Sequence, residues 1–411
     1  MLPLTLADIS RALTETVVDR AFKVKTESAD TVQRISVTRA APAGEGLIGA
    51  VYRIHVVGEH NQASFVAKAL VKDELLCSTL NCPMYFKREV IFFSKILPTL
   101  VATQKSLGAT ENLQSYIPVC FDWHCDGRND FLLLEDLAER GYVSIQKNLT
   151  ICKKNATLKT LAHFHAVSLA LRVKKPDVFK KIADELDEIY YFEENRTWYD
   201  EYLQEAIKID VATLAEYENP ETSIYYKKLI ELLNKNAYTL LINLASERGS
   251  NPVICHGDAW CCNFMYSNEK TVAIDFQITR CASLVTDLSY FILVSNSCRN
   301  KDDFNEAVEV YYLALKYYLS DMKLDANEVF PKTTLEAELR RYGKYGLLAC
   351  LTSFPLLASE RCDVLQSYSS KYQGYDRIPL LKLWYLTPFQ TEEDKTQVVN
   401  AVRVAVDVGI I

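Results

Sequence analysis

Three oxygen-bearing side chains lie within a short span of the sequence, residues 255–277. Asp258 and Asn263 share the stretch CHGDAWCCNFMY, and Asp275 follows in the run IDFQ. Transfer of a γ-phosphoryl group needs positioned metal ions and an oriented acceptor hydroxyl more than covalent help from the protein. An Asp can orient the acceptor, while an Asn and a second Asp offer the oxygen ligands that Mg²⁺ prefers. The order therefore predicts a phosphoryl-transfer site with Asp258 as the catalytic residue and Asn263 and Asp275 as Mg²⁺ ligands.

Taken singly, each of these residues has an ordinary structural explanation, because Asp and Asn are common in helix caps and turns. The ordered set, with an apolar strand-like run beside each acid, is less common. We therefore favour the catalytic interpretation and look for the elements that must position it.

A glycine-rich segment upstream fits the pattern G-x-G-x-x-G-x-V, with Gly44, Gly46 and Gly49 as the glycines. Between a strand and a helix the same glycines would mark a dinucleotide site. Here the runs on both sides, residues 32–37 and 51–56, are rich in β-formers. This arrangement predicts a β-hairpin whose tip covers the phosphates of a nucleotide.

The next apolar run, SFVAKALV, is interrupted by Lys68, as in the V-A-I-K pattern in which Lys binds nucleotide phosphates. Such a lysine needs an acidic partner, and Glu89 lies on a predicted amphipathic helix over residues 84–97. Lys68 could instead guard an edge strand against aggregation, and Glu89 could face solvent. We predict that Lys68 and Glu89 form a nucleotide-binding pair.

Residues 131–137, FLLLEDL, are typical of a buried strand that leads into a hinge between two lobes. A hinge would contact adenine mainly through its backbone, which makes Glu135 and Leu137 candidate nucleotide contacts. Asp136, between them, has the alternative role of capping the following turn.

The ordered motifs resemble the ecdysteroid kinase-like family of arthropods, within the choline kinase and aminoglycoside phosphotransferase group. The similarity covers about residues 47–357. It is carried by the glycine hairpin, Lys68, Glu89, the hinge, His-Gly-Asp-x-Trp-x-x-Asn-x-Met-Tyr and Ile-Asp-Phe-Gln. The resemblance implies an ATP- and Mg²⁺-dependent kinase with Asp258 as the catalytic Asp and Asn263 and Asp275 as metal ligands.

Two further residues resemble family positions outside the main motifs. His165 lies in a helix that precedes the catalytic loop, and we interpret it as structural. Asp287 is similar to a family Asp that supports the loop, which we expect it to do by capping the next helix. Gln277 replaces the Gly of Asp-Phe-Gly, so a flipping activation loop is not implied.

We expect an α+β, bilobal, protein-kinase-like fold. Residues 1–137 would form a small β-rich, nucleotide-binding N-terminal lobe and residues 138–411 a larger, mainly helical lobe that holds the catalytic and acceptor sites. Long amphipathic stretches at residues 157–173, 224–248, 303–319 and 334–357 predict helices in the second lobe.

Composition and charge limit the expected binding partners and the expected cellular location. A formal net charge of −7 with dispersed basic residues predicts no nucleic-acid partner. The N-terminal residues do not resemble a signal peptide, and the longest apolar segments fall short of a membrane span. We therefore expect a cytoplasmic protein without membrane insertion, whose twelve cysteines are reduced.

The leading functional hypothesis is phosphorylation of a small-molecule alcohol. The resemblance alone suggests that the alcohol is an ecdysteroid or a steroid-like xenobiotic, and hence that the protein has a role in detoxification or hormone recycling. Choline, ethanolamine or an aminoglycoside is the alternative acceptor class. A second alternative is a non-catalytic ligand-binding pseudokinase, which would not need Lys68, Asp258, Asn263 and Asp275 together. Candidate acceptor-pocket residues are aromatic: Phe354, Tyr368, Tyr372, Tyr375 and Trp384.

Overall fold

A computed structural model describes residues 3–40, 49–145, 149–295, 298–359 and 368–411. Its largest sheet is antiparallel and has the order β1-β2-β3-β5-β4. These strands are β1 (Val32–Arg39), β2 (Gly49–Gly58), β3 (Gln62–Leu70), β4 (Cys120–His124) and β5 (Phe131–Glu135). β1 and β2 pair along almost their whole length, as a hairpin requires.

One face of this sheet forms a hydrophobic core. Side chains of a strand point alternately to its two faces, and along β2 Tyr52, Ile54 and Val56 are buried while their neighbours are partly exposed. Phe22 of a preceding helix and Phe65 of β3 belong to the same core. The opposite face of β3 is therefore left for Val66 and Lys68.

Helices make up most of the rest of the chain. The first five are α1 (Leu6–Ile9), α2 (Glu15–Thr26), α3 (Glu74–Thr79), α4 (Cys82–Ile91) and α5 (Leu97–Ser106), with a π-helical segment, Phe92–Ile96, between α4 and α5. The others in the described residues are α6 (Ile151–Lys174), α7 (Pro176–Ala183), α8 (Arg196–Tyr217), α9 (Ile224–Leu233), α10 (Ala237–Ser246), α11 (Val285–Val294), α12 (Lys301–Asp321), α13 (Ala326–Val329), α14 (Lys332–Ala358), α15 (Tyr368–Lys371), α16 (Leu380–Leu383) and α17 (Glu392–Asp407).

Short strands interrupt the helical part where the candidate site lies. They are β6 (Val143–Ser144), β7 (Val253–Cys255), β8 (Phe264–Ser267), β9 (Lys270–Ala273) and β10 (Arg280–Ala282). β7 pairs with β10 and β8 pairs with β9, both antiparallel. All ten residues of α11 are buried, and α11 packs against α14, while β7 and β9 pack against α6.

Three of the four predicted long helices correspond to single helices, α6, α12 and α14. The fourth, residues 224–248, is divided into α9 and α10. Asn236 separates them because it has a left-handed φ of 61° and its side chain accepts the backbone N–H of Thr239 at the start of α10. Asn tolerates this backbone region and caps helices well.

The described residues cluster into two compact units. The first lies within Met1–Lys95, Ile117–Val143 and Arg361–Ile378, and the second within Ile96–Tyr116, Ser144–Glu360 and Pro379–Ile411. The antiparallel sheet in the first unit and the mainly helical second unit confirm the predicted α+β class. The lobe boundary at residue 137 stays a prediction. Among the helices of the described residues, none is both long and apolar enough to cross a membrane.

Candidate functional site

Lys68 and Glu89 form a close ion pair in the first unit. β3 lies between β2 and β5, so Lys68 is not on an edge strand. Its Nζ donates to Oε1 of Glu89 at 2.9 Å and to Oε2 at 2.7 Å, and the Glu89 side chain is only 2% exposed. The sequence-based alternatives for these residues, an edge-guarding lysine and a solvent-facing glutamate, do not fit this geometry.

Burial of this pair is itself informative. Desolvation of two charges costs about as much as their attraction returns, so apolar residues of similar size are often as stable. Stability alone therefore gives little reason to keep Lys68 and Glu89. An ammonium group held in one orientation suits a phosphate-binding role, which stays a prediction.

The segment predicted as a hinge follows β5, which ends at Glu135, and its role as a hinge stays a prediction. The N–H of Glu135 donates to the carbonyl of Val119 at 2.8 Å, and the carbonyl of Leu137 accepts the N–H of Tyr142 at 3.1 Å. A base bound at this segment must therefore use other backbone groups. Asp136 caps the 3₁₀ turn Leu137–Arg140 by accepting the N–H of Ala138, which is the structural alternative considered for it.

The glycine-rich segment is only partly described. Gly44 and Gly46 lie outside the described residues. Gly49 is the first residue of β2 and packs against β3, where a Cβ on it would lie 3.3 Å from the carbonyl oxygen of Ala69. Nucleotide binding by these three glycines stays a prediction.

The loop that carries Asp258 begins directly after β7, and Asp287 of α11 holds it. Oδ2 of Asp287 accepts the N–H of His256 at 2.6 Å, and Oδ1 accepts the N–H of Gly257 at 3.0 Å. His165 in turn contacts Asp287 through Nε2 at 3.1 Å and the Tyr311 hydroxyl through Nδ1 at 2.7 Å. The loop is thus fixed by a buried carboxylate that a histidine orients.

This arrangement corrects the predicted action of Asp287. Asp287 lies in the first turn of α11, but the N-cap residue is Leu284, which makes no side-chain cap. The carboxylate supports the loop by accepting its amide groups instead of capping the helix. The sequence could not show this, because residues 256 and 287 meet only through tertiary packing.

Asp258, Asn263 and Asp275 come together in the second unit. Nδ2 of Asn263 donates to Oδ2 of Asp258 at 2.8 Å and to its carbonyl oxygen at 2.9 Å. The N–H of Ile274 donates to the carbonyl of Asn263 at 2.9 Å, which brings Asp275, the next residue, to the same place. Asp275 has a left-handed φ of 69°, a conformation that non-glycine residues adopt mainly under constraint.

The electrostatics of this cluster suit a cation. Burial and then repulsion by Asp275 raise the pKa of Asp258 to about 7, although the hydrogen bond from Asn263 opposes the rise. Because Asn263 uses its amide nitrogen on Asp258, its Oδ1 is left as a neutral oxygen ligand. The Asn263 carboxamide oxygen and the Asp275 carboxylate are the kind of hard oxygen donors that Mg²⁺ prefers.

A second group of side chains could hold a metal by spacing alone. Ligand atoms of His165, Cys255 and Asp287 lie within 4.8 Å of one another, and all three residues are buried. Both ring nitrogens of His165 already contact other protein groups. We therefore assign this cluster to support of the loop.

The predicted acceptor-pocket aromatics do not belong to one unit. Phe354 is buried in α14 and Trp384 contacts Tyr202, both in the second unit. Tyr372 and Tyr375 contact each other in the first unit. The side chain of Tyr368 lies outside what the structure describes. Their role in acceptor binding stays a prediction.

An antiparallel sheet with a buried Lys–Glu pair and a mainly helical unit that carries Asp258, Asn263 and Asp275 support the class of small-molecule kinases. A model of the ecdysteroid kinase-like family matches residues 43–324, well over half of the chain. The chain belongs to the ecdysteroid kinase-like family.

Several solved structures are similar at low identity. Choline kinase from Cryptosporidium parvum is 11% identical, with 92% of this chain and 91% of that chain covered and a TM-score of 0.43. Amicoumacin kinase hAmiN, in complex with AMP-PNP, Ca²⁺ and Ami, is 14% identical, with 96% and 94% covered and a TM-score of 0.40. Plasmodium vivax ethanolamine kinase is 13% identical, with 78% and 74% covered and a TM-score of 0.39. A search of curated proteins gives no match.

Proposed function

We propose that this protein is an ATP- and Mg²⁺-dependent phosphotransferase that phosphorylates an alcohol group of a small molecule. The observation that carries the proposal is that Asn263 donates to Asp258 and that Asp275 follows Ile274, whose N–H donates to the Asn263 carbonyl. A protein that only bound a ligand would have no use for a carboxylate held beside metal-type oxygen donors. Family membership supports the same class.

Each residue then has one task. Lys68, held by Glu89, would bind phosphate oxygens of ATP, and Asn263 and Asp275 would hold Mg²⁺, which supplies neutralisation of phosphate charge when bound. Asp258 accepts the proton of the acceptor hydroxyl as its oxygen bonds to the γ-phosphorus and the bond to the leaving ADP oxygen breaks. Oδ2 of Asp258 already accepts a hydrogen bond from Asn263, so we assign proton acceptance to Oδ1.

The acceptor that we propose is an ecdysteroid or a steroid-like xenobiotic, a choice that rests on the family to which the chain belongs. Choline, ethanolamine and aminoglycosides are the alternative acceptors of the same reaction. The site in the second unit is compatible with any alcohol, because proton acceptance by Asp258 does not depend on the rest of the acceptor. The predicted cytoplasmic location and detoxification role also stay proposals.

The test is a transfer assay with purified protein, ATP and Mg²⁺. An ecdysteroid, a sterol alcohol, choline, ethanolamine and an aminoglycoside are supplied separately, and mass spectrometry scores new phosphate esters in each reaction and in a metabolite extract. We expect an ester of the steroid class that needs both ATP and Mg²⁺ and disappears in the Asp258→Asn variant. If only choline, ethanolamine or the aminoglycoside is phosphorylated, the proposed steroid acceptor is wrong and the amino-alcohol class is correct. If no ester forms from any source and the protein shows no Mg²⁺-dependent nucleotide binding, the proposed phosphotransferase is wrong. The remaining interpretation would be a ligand-binding pseudokinase.

A further inference from the structure

Arg280 is a buried cation next to the loop that carries Asp258, and no motif in the sequence singled it out. It is the first residue of β10, five positions after Asp275, and its side chain is 2% exposed. Nη1 donates to the carbonyl oxygen of Gly257 at 2.9 Å. The guanidinium group therefore binds the peptide that joins Gly257 to Asp258.

The position of Arg280 is fixed from two other sides. Its Nε lies 3.5 Å from Oε2 of Glu188, whose side chain is 4% exposed, and its guanidinium carbon lies 4.7 Å from the centre of the Tyr345 ring. Glu188 is itself held, because its Oε1 accepts the N–H groups of Tyr190 and Tyr191 at 2.6 and 3.0 Å. Arg280 thus links the catalytic loop to the chain before α8 and to α14.

Gly257 has a positive φ and lies too close to neighbouring main chain to accept a side chain. Its φ is +91°, and a Cβ on it would lie 2.0 Å from the carbonyl oxygen of Ile278 and 3.2 Å from Nη1 of Arg280. Its N–H is held by Asp287 and its carbonyl by Arg280. Both peptide groups of Gly257 are therefore fixed, and the direction in which the Asp258 side chain leaves the loop is fixed with them.

Burial of Arg280 is not explained by satisfied hydrogen bonds. Among the described residues, its Nε and Nη2 and the Oε2 of Glu188 are buried without a hydrogen-bond partner. A buried ion pair with unmet donors is weak support for stability, and apolar replacements are often neutral or better. The one well-made polar contact of the guanidinium group is the one to Gly257, which points to the loop as the reason for its presence.

We propose that Arg280 is a positioning residue for phosphoryl transfer, which orients Asp258 through the Gly257 carbonyl, and that Glu188 holds Arg280 in place. The inference rests on the proposed function, since it assigns Arg280 a part in the same reaction. It does not require Arg280 to touch ATP or the acceptor.

The test compares Arg280→Lys and Arg280→Ala with Arg172→Lys. Arg172 is a matched control in the same unit, because its Nη1 donates to a backbone carbonyl, that of Ser250, at 2.9 Å, and its Nε is also buried without a described partner. We expect the Arg280 variants to lose roughly 10²-fold in kcat, the cost of misplacing a reacting group, with KM for ATP nearly unchanged. Arg172→Lys should lower only thermal stability.

Guanidinium ion supplies a second readout that a structural role would not move. Added to Arg280→Ala, it should restore part of kcat, whereas it should not restore Asp258→Asn. Glu188→Gln should lower kcat in wild type but have little further effect in Arg280→Ala, because the two residues act in series.

The outcomes separate this inference from the proposed function. No transfer by wild type with any acceptor would overturn both. If the wild-type protein is active and both Arg280 variants have the same kcat as wild type, only the role of Arg280 would be overturned. Unfolding of both Arg280 variants while Arg172→Lys stays folded would also overturn it, since Arg280 would then serve the fold and not the loop.

Discussion

Glu89 holds the ammonium group of Lys68 with both of its carboxylate oxygens, at 2.9 and 2.7 Å. The strand places Lys68 on the face of the sheet opposite the hydrophobic core, and α4 places Glu89 against that face. Two neighbouring elements therefore meet in a contact that fixes the orientation of the Lys68 ammonium group.

Replacement of Glu89 by Gln should release Lys68 from this orientation while it keeps the size of the side chain. We expect kcat to fall by roughly 10²-fold, comparable to loss of one preorganised electrostatic contact, and nucleotide affinity to fall as well. Steady-state kinetics and calorimetric titration with ATP measure the two effects. Asp19→Asn, which removes the partly exposed partner of Lys23 at 2.8 Å in the same unit, is the control and should be neutral. Equal effects of the two variants would contradict the role of Glu89.

Replacement of Asp258 by Asn should remove the proton acceptor and little else. We expect kcat to fall by roughly 10²- to 10⁴-fold, the usual share of general-base help, with ATP binding preserved. Asp184→Asn is the control, because Asp184 lies in the same unit and its half-exposed carboxylate pairs with Lys180 and Arg248 at the surface. Full turnover in Asp258→Asn would remove Asp258 from the mechanism.

His163 should make the protein sensitive to acid. Its Nε2 contacts the amide nitrogen of Gln104 at 2.8 Å, and since Oε1 of Gln104 accepts the N–H of Leu113, that amide donates to a neutral imidazole. Burial lowers the pKa of His163 from 6.5 to about 3. Between these pH values His163 is protonated in the unfolded chain and neutral in the folded chain. The free energy of unfolding therefore decreases as pH falls from about 6.5 toward 3.

The loss between pH 7 and pH 5 should be about 2 kcal/mol for this one group. His163→Gln keeps an acceptor for Gln104 and has no proton to gain, so its stability should change less over that range. Urea unfolding of both proteins at the two pH values measures the difference. Parallel pH curves for the variant and wild type would show that His163 is not the group responsible.

Asp210 should have the opposite pH dependence. Both of its oxygens are buried without a hydrogen-bond partner in the described part of the chain, and burial raises its pKa well above the usual range. The folded state holds the proton more tightly, so stability is full at low pH and is lost as pH rises through the folded pKa. Asp210→Asn should be more stable than wild type at pH 8 by roughly 1–3 kcal/mol. A larger gain at pH 5 than at pH 8 would contradict this prediction.

Local patterns allowed much of the fold and part of the candidate site to be predicted from the sequence. Lys68 lies in an apolar strand and Asp258 and Asn263 share one loop, so spacing along the chain carries their relationship. Arg280 and Glu188 carry no such pattern, because they are 92 positions apart and meet only when β10 packs beside the chain before α8. The break at Asn236 and the action of Asp287 were missed for the same reason: each depends on backbone conformation or packing that spacing does not encode.

The Ile278 carbonyl, which lies against Gly257, limits which residues can occupy position 257. Any side chain there would need a left-handed backbone and would collide with the Ile278 carbonyl at 2.0 Å, which is main chain and cannot rotate away. In a saturation library selected for activity, codon 257 should therefore return glycine alone, with even alanine depleted. Codon 374 offers the contrast, because Gly374 also has a positive φ but has nothing within 4 Å of its Cβ position. Asparagine and aspartate should survive there, so the two glycines would differ in tolerance although both have a positive φ.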